Sequence, residues 1–142
     1  MRLYPGPQGN LAIELMIPQE KTMLQSLPPC PSSPNCVCSY DLDSRHFIEP
    51  IHFHEPALEA WERWLGLLRK SPGLVSLHTT DDTARIVFQT RLFRFKDDCA
   101  CVLDAESQVI HLRSASRLGY SDFGVNRRRL EHLRSLFAST SR

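Results

Sequence analysis

Apolar residues recur at helical spacing in two stretches of the chain. In "PALEAWERWLGLLRK", residues 56–70, Leu58, Trp61, Leu65 and Leu68 fall three or four apart, which predicts one amphipathic helix. Pro56 suits its first position, and Lys70 with Gly73 supplies an ending. A second periodic stretch, about 125–138, sets Leu130, Leu133 and Phe137 on one face. Between them the period drops to two. "GLVSLHTT" and "ARIVFQTR" flank Asp81 and Asp82 as one hairpin, and "CACVLD" and "QVIHLRS" flank "AES" as another. The order helix, four strands, helix, with short turns, predicts an α+β fold: a four-stranded antiparallel sheet with two helices packed on one face. Trp61, Leu65, Leu68, Leu130, Leu133 and Phe137 are its expected shared core.

The first third reads differently. Residues 1–27 set prolines around the short apolar run "LAIELMI" and read as an N-terminal arm. From 28 to 56, Pro28, Pro29, Pro31, Pro34, Pro50 and Pro56 exclude a long helix. That segment is expected to be an extended wrap, ordered by contacts and not by hydrogen bonds of its own. Residues 28–142 then form a single α+β domain, and a chain of 142 residues, 42% of them hydrophobic, can bury one core. A net charge of +1 argues against coating nucleic acid, which needs a broad basic face. No apolar run reaches the length of a membrane span, and "MRLYPGPQGNLAIELMIPQEK" lacks a signal peptide's apolar core. A soluble, cytoplasmic protein is expected from the chain as given, unless a targeting segment has been removed.

The basic residues are concentrated late in the chain. Arg113, Arg117, Arg127, Arg128, Arg129, Arg134 and Arg142 all follow the last predicted hairpin turn. Arg127, Arg128 and Arg129 sit in the first turn of the second helix, where the helix dipole makes each exposed cation cost about 0.3–1 kcal/mol. Some compensating gain is implied. One reading is an anion- or partner-binding corner made of Arg113, Ser114, Ser116, Arg117, Asn126, Arg127 and Arg129. The other, preferred on the residues alone, is an ion clamp in which Asp97, Asp98, Asp122 and Glu131 neutralise those cations. Either way Arg113, Arg117, Arg127 and Arg129 are expected to converge near the start of the final helix.

Five cysteines, Cys30, Cys36, Cys38, Cys99 and Cys101, leave at least one without an internal partner. Cys36, Cys38, Cys99 and Cys101 form two C-x-C pairs that could together hold zinc or copper(I). The preferred reading makes them small buried apolar residues, so neither a metal nor a cofactor is expected. Cys30 and Cys36 could close a short disulfide, but only in an oxidising compartment. His52 and His54 could make half a metal site, completed by Cys36 or His46. No nucleotide-binding loop or zinc-protease helix appears.

Three separated blocks belong together: "CPSSPNCVCS" at 30–39, "LFRFKDD" at 92–98 and "RSASRLGYSDFGVNRRRLEHLR" at 113–134. Together they make the chain resemble the DUF1499 family, family 1499 of the domains of unknown function. The likeness runs from about 30 to 138. It implies matching positions at Asn35, Cys36, Asp97, Asp98, Arg113, Ser114, Ser116, Arg117, Gly119, Asp122, Gly124, Asn126, Arg127, Arg129 and Glu131. Cys38 departs where the family looks more like Ser, and Cys99 and Cys101 where it looks apolar. The resemblance implies a fold and no established activity. The expected function is therefore a non-enzymatic binding or accessory module whose Arg/Ser corner recognises an acidic small molecule or protein partner. The alternative is a Cys-dependent enzyme or a zinc or copper carrier built around Cys36. No catalytic residue is identified.

Overall fold

The computed structural model describes residues 27–140 of the chain, so the arm expected at 1–27 lies, but for Leu27, outside the described residues. The elements run β1 (Cys36–Cys38), β2 (Ile51–His52), α1 (Ala57–Arg69), β3 (Leu74–Thr79), β4 (Thr83–Gln89), β5 (Lys96–Asp104), β6 (Val109–Ser116) and α2 (Val125–Thr140). The fold is α+β, but its antiparallel sheet has six strands and not four. The sheet order is β1-β6-β5-β4-β3, with β2 also on β6. The two added strands come from the proline-rich wrap. β1 pairs Cys36 with Ala115 and Cys38 with Arg113, while β2 pairs Ile51 with Ile110 farther along the same edge. Prolines flank these short pieces without falling inside them, so each can donate to β6 where the chain lies flat.

Pairing across the strands sorts side chains by face, because residues directly opposite in antiparallel strands share one. Ala84, Ile86 and Phe88 of β4, Cys99, Cys101 and Leu103 of β5, Ile110 and Leu112 of β6, and Val37 of β1 join a single buried cluster. Trp61, Trp64, Leu65 and Leu68 of α1, with Leu130, Leu133 and Phe137 of α2, complete it. The six core residues expected from periodicity are all in it. Leu58 is not, being 67% exposed in the first turn of α1; Trp64, on the same stripe as Trp61 and Leu68, is fully buried instead. The alternate positions carry Cys36 and Cys38, Arg85, Asp98 and Ala100, and His111 and Arg113, where Leu27, Cys38 and Val102 make a smaller buried cluster.

Two contacts fix the frame of the sheet and helices. Gly73 adopts φ +81°, and a Cβ there would lie 2.6 Å from the Gln89 carbonyl oxygen, so only glycine lets the start of β3 meet the end of β4. Arg63 of α1 donates to the Phe137 carbonyl at 2.6 Å and stacks on the Phe137 ring, 3.5 Å from its centre. A cation near a helix C-terminus complements its dipole, so this contact ties α1 to the end of α2.

Candidate functional site

The junction of β5, β6 and α2 is built around Asn126, which is completely buried in the first turn of α2. Its amide oxygen accepts from Ser114 Oγ at 2.5 Å, and its amide nitrogen donates to Ser116 Oγ at 3.0 Å and Asp122 Oδ2 at 2.8 Å. Ser116 Oγ in turn donates to Asp97 Oδ1 at 2.8 Å. Arg129 Nη1 lies 3.0 Å from Asp97 Oδ2, as an ion pair out of line for a hydrogen bond, and its guanidinium sits over the Phe88 ring. The register pairs Asp97 with Ser116 directly, and Asn126 and Arg129 are one turn apart on α2. Asp122 also accepts from the backbone N–H groups of Gly124 (2.8 Å) and Asn126 (2.9 Å), satisfying donors that a helix start leaves orphaned.

The other arginines do not converge there. Arg113 of β6 and Arg117, one residue past its end, alternate with Ser114 and Ser116 along the chain, so alternation turns them to the other face. Arg113 donates from Nε to the Pro28 carbonyl at 2.8 Å, and Arg117 forms a two-pronged, exposed pair with Asp98, both bonds 2.9 Å. Arg127 reaches the carbonyls of Phe47 (2.8 Å) and Arg45 (3.2 Å). Arg134 holds the Pro50 carbonyl at 2.8 Å, the Glu49 carbonyl, and Glu131 Oε1 at 2.7 Å. Arg128 donates to the Phe123 carbonyl, and Gly124 at φ +78° leaves the space its guanidinium occupies. Arg113, Arg127 and Arg134 thus each grip backbone carbonyls of the proline-rich wrap, which lacks enough ladder partners of its own. Of the four acids, Asp97, Asp98 and Glu131 pair with arginines, whereas Asp122 serves the helix start and Asn126.

The cysteines are split as well. Cys30 and Cys36 form a disulfide with Cα atoms 5.7 Å apart, which removes Cys36 as a thiolate nucleophile or metal ligand. Cys38 lies on the opposite sheet face from Cys99 and Cys101, so the two C-x-C pairs cannot share a metal. The contact with Cys99 and complete burial hold the Cys101 thiol well above its usual range, and burial raises that of Cys38. His46 is buried with Nδ1 3.0 Å from the Cys36 carbonyl oxygen, while His52 and His54 are exposed and His52 faces Glu49 at 3.4 Å. Among the described residues no three His, Cys, Asp or Glu side chains are grouped to hold a metal ion.

A cleft of about 450 Å³ opens directly above the Asp97–Ser116 pair. Its walls are two loops: 90–95, which joins β4 to β5, and 117–124, which joins β6 to α2. Leu92, Phe93 and Phe95 line one side, and Leu118, Gly119 and Phe123 the other. These side chains point into water: Leu92 is 80% and Phe123 85% exposed. Asn35 braces the second loop by donating from Nδ2 to the Gly119 carbonyl at 2.7 Å, and its own carbonyl accepts from the Ser116 N–H. Polar reasoning on the arginine block passed over this cleft. The available signal was a run of Leu and Phe in turn segments, where polar residues are the rule.

No helix among the described residues is long and apolar enough to cross a membrane. No curated protein and no solved structure matches the chain. Residues 26–137 match the family described as protein of unknown function (DUF1499), and the blocks that build this junction lie within the match: the chain belongs to that family.

Proposed function

We propose that the chain is a non-enzymatic binding module that receives an apolar group of a ligand or partner in the cleft between the 90–95 and 117–124 loops. The observation that carries this reading is the exposure of Leu92, Phe93, Phe95, Leu118 and Phe123 around one cleft. Burying such a side chain stabilises by about 1.5–3 kcal/mol. Leaving five of them in water forgoes a stabilisation that internal packing could have captured, and contiguous apolar patches mark interaction sites. The Arg/Ser corner enters as scaffold: its forks are engaged with carbonyls and carboxylates, and Ser114 is fully buried. An acidic ligand at Ser114 and Ser116 would meet donors already committed. The disulfide at Cys36 counts against the thiol enzyme and the metal carrier.

The same reading takes residues 28–142 as one domain with both helices laid on one sheet face, supported by the cluster that α1 and α2 share with β4, β5 and β6. It also favours an oxidising compartment over the cytoplasm, because the Cys30–Cys36 bond persists only there. Denatured, unreduced protein should then titrate for the three thiols of Cys38, Cys99 and Cys101 and not for all five.

The direct test uses a neutral apolar dye such as Nile red. Wild type should enhance its fluorescence saturably, and the double variant Phe93→Ser/Phe123→Ser should lose the signal at an unchanged thermal midpoint. An undiminished signal from that folded variant would remove the cleft as the site.

A further inference from the structure

The two cleft loops leave the same end of the sheet, because Asp97 and Ser116, at their roots, are a directly opposed pair. Their tips are convex as well as apolar: Leu92, Leu118, Tyr120 and Phe123 are each more than two-thirds exposed. Side chains that project so far make poor walls for a bound peptide and good wedges for a fluid phase. The 90–95 loop is also held in shape beforehand. Thr90 N–H donates to the Phe95 carbonyl at 2.8 Å, Phe95 N–H to Thr90 Oγ1 at 2.9 Å, and Arg94 N–H to the Thr90 carbonyl at 3.0 Å. Phe93 and Phe95 stack with ring centres 5.6 Å apart. Binding through this tip would order little that is not already ordered.

The exposed charges on and just after the 90–95 loop are all basic. Arg91 and Arg94 line a shallow groove on the other side of the 90–95 loop, and Lys96 follows it; all three are exposed and have no acidic partner among the described residues. The nearby carboxylates are spent. Asp97 is buried against Arg129, Asp98 is paired with Arg117, and Asp122 serves the start of α2. Exposed Arg128 adds to the same field. Aromatic and aliphatic tips flanked by unpaired cations complement a layer of anionic headgroups over an acyl interior.

Building on the cleft reading, we propose that this end of the molecule docks reversibly on an anionic lipid bilayer. Leu92, Phe93, Leu118 and Phe123 enter the boundary between headgroups and acyl chains, and Arg91, Arg94 and Lys96 meet the phosphates. The test is co-sedimentation of the full chain with vesicles of phosphatidylcholine, with and without phosphatidylglycerol, at low and high salt. Binding should require phosphatidylglycerol and weaken with salt. The triple variant Arg91→Gln/Arg94→Gln/Lys96→Gln should lower the partition coefficient on the order of a hundredfold, since each basic residue near an anionic surface contributes about a factor of five. Phe93→Ser/Phe123→Ser should lower it too, with thermal midpoints unchanged in both variants. Absence of binding to the anionic vesicles, or wild-type binding by the triple variant, overturns the proposal. So does soluble polyglutamate binding as tightly as the vesicles and indifferent to the Phe substitutions, which would assign the end to an acidic polypeptide. If vesicles fail while Nile red still reports the cleft, docking falls and the cleft reading stands; if both fail, both fall.

Discussion

Asp97 and Phe95 are two residues apart and receive opposite treatment. The carboxylate is 1% exposed at the floor of the cleft, whereas the phenyl ring is 50% exposed on its rim. The usual partition, charge outside and hydrocarbon inside, is inverted over a few ångströms where the 90–95 loop enters β5. On the floor the inversion is compensated by a counter-ion and hydrogen bonds, with only Asp97 Oδ2 left without a hydrogen bond. Asp97 has Ser116 and Arg129, and Asn126 has a partner for each end of its amide. On the rim Leu92 and Phe123 stay 80% and 85% exposed, and Phe93 has only the Phe95 ring against it. A costly buried ion held by a counter-ion and a hydroxyl belongs to architecture, and on the binding reading an apolar cluster left in water is kept for a partner outside the chain.

The comparison is broken most directly by removing one residue from each side. Asp97→Ala leaves Arg129, only 15% exposed, without its counter-ion and Ser116 without its acceptor. The expected cost in equilibrium unfolding is about 3–5 kcal/mol, the range for orphaning one member of a buried pair. Phe123→Ser, on the rim, should change stability by less than about 0.5 kcal/mol while weakening dye binding. Equal losses in urea unfolding would mean that the rim is part of the fold, and the distinction would disappear.

Much of this architecture could be read in advance, and the reasons for what could not are physical. Period-2 and period-3.6 patterns marked β3 to β6 and both helices because those elements bury one face against a common core, and Trp61, Leu65 and Leu130 report that core directly. β1 and β2 left no such trace. They are held by a ladder to β6 and by Arg113, Arg127 and Arg134 gripping carbonyls, and backbone acceptors carry no residue code. The arginine block was visible as a block, but its division between two sheet faces follows from strand parity, which turns Arg113 and Ser114 in opposite directions. The C-x-C pairs were separated by the same parity. The rim was the least legible feature, because Leu92, Phe93 and Leu118 look like core residues until the turns that expose them are placed.

Floor and rim are joined through the wrap, which allows an intermediate test. The disulfide closes a short loop holding Ser33 and Asn35, and Asn35 is the residue that braces Gly119 on the rim. By loop-closure entropy, a crosslink over six to seven residues stabilises by about 2 kcal/mol. Reduction should therefore lower the thermal midpoint by less than Asp97→Ala does, and it should weaken dye binding as well, since the 117–124 loop loses a fixed support. A drop in stability with dye binding intact would show that the rim keeps its shape without the wrap.

The smallest expected effect separates body from rim by pH. His111 lies on the sheet face that carries Arg113, stacked on Tyr40 with ring centres 4.0 Å apart and with Nδ1 3.0 Å from Ser39 Oγ. Burial holds its pKa below the ordinary value, with Asp104 opposing the shift and His52 adding to it. The folded state thus prefers the neutral ring. The unfolded chain binds the proton more readily, near the ordinary value of about 6.5. The stability this provides is present above that value and is lost as pH falls through the lower, folded-state pKa. Between neutral and mildly acidic pH the thermal midpoint of wild type should fall, and His111→Gln, which retains a polar group toward Ser39 but does not titrate, should fall less. Phe93→Ser/Phe123→Ser should track wild type throughout, because neither position touches the Ser39–His111–Tyr40 contact. A rim variant that flattened the profile would mean that the cleft loops and this face respond as one unit, and the separation drawn between them would fail.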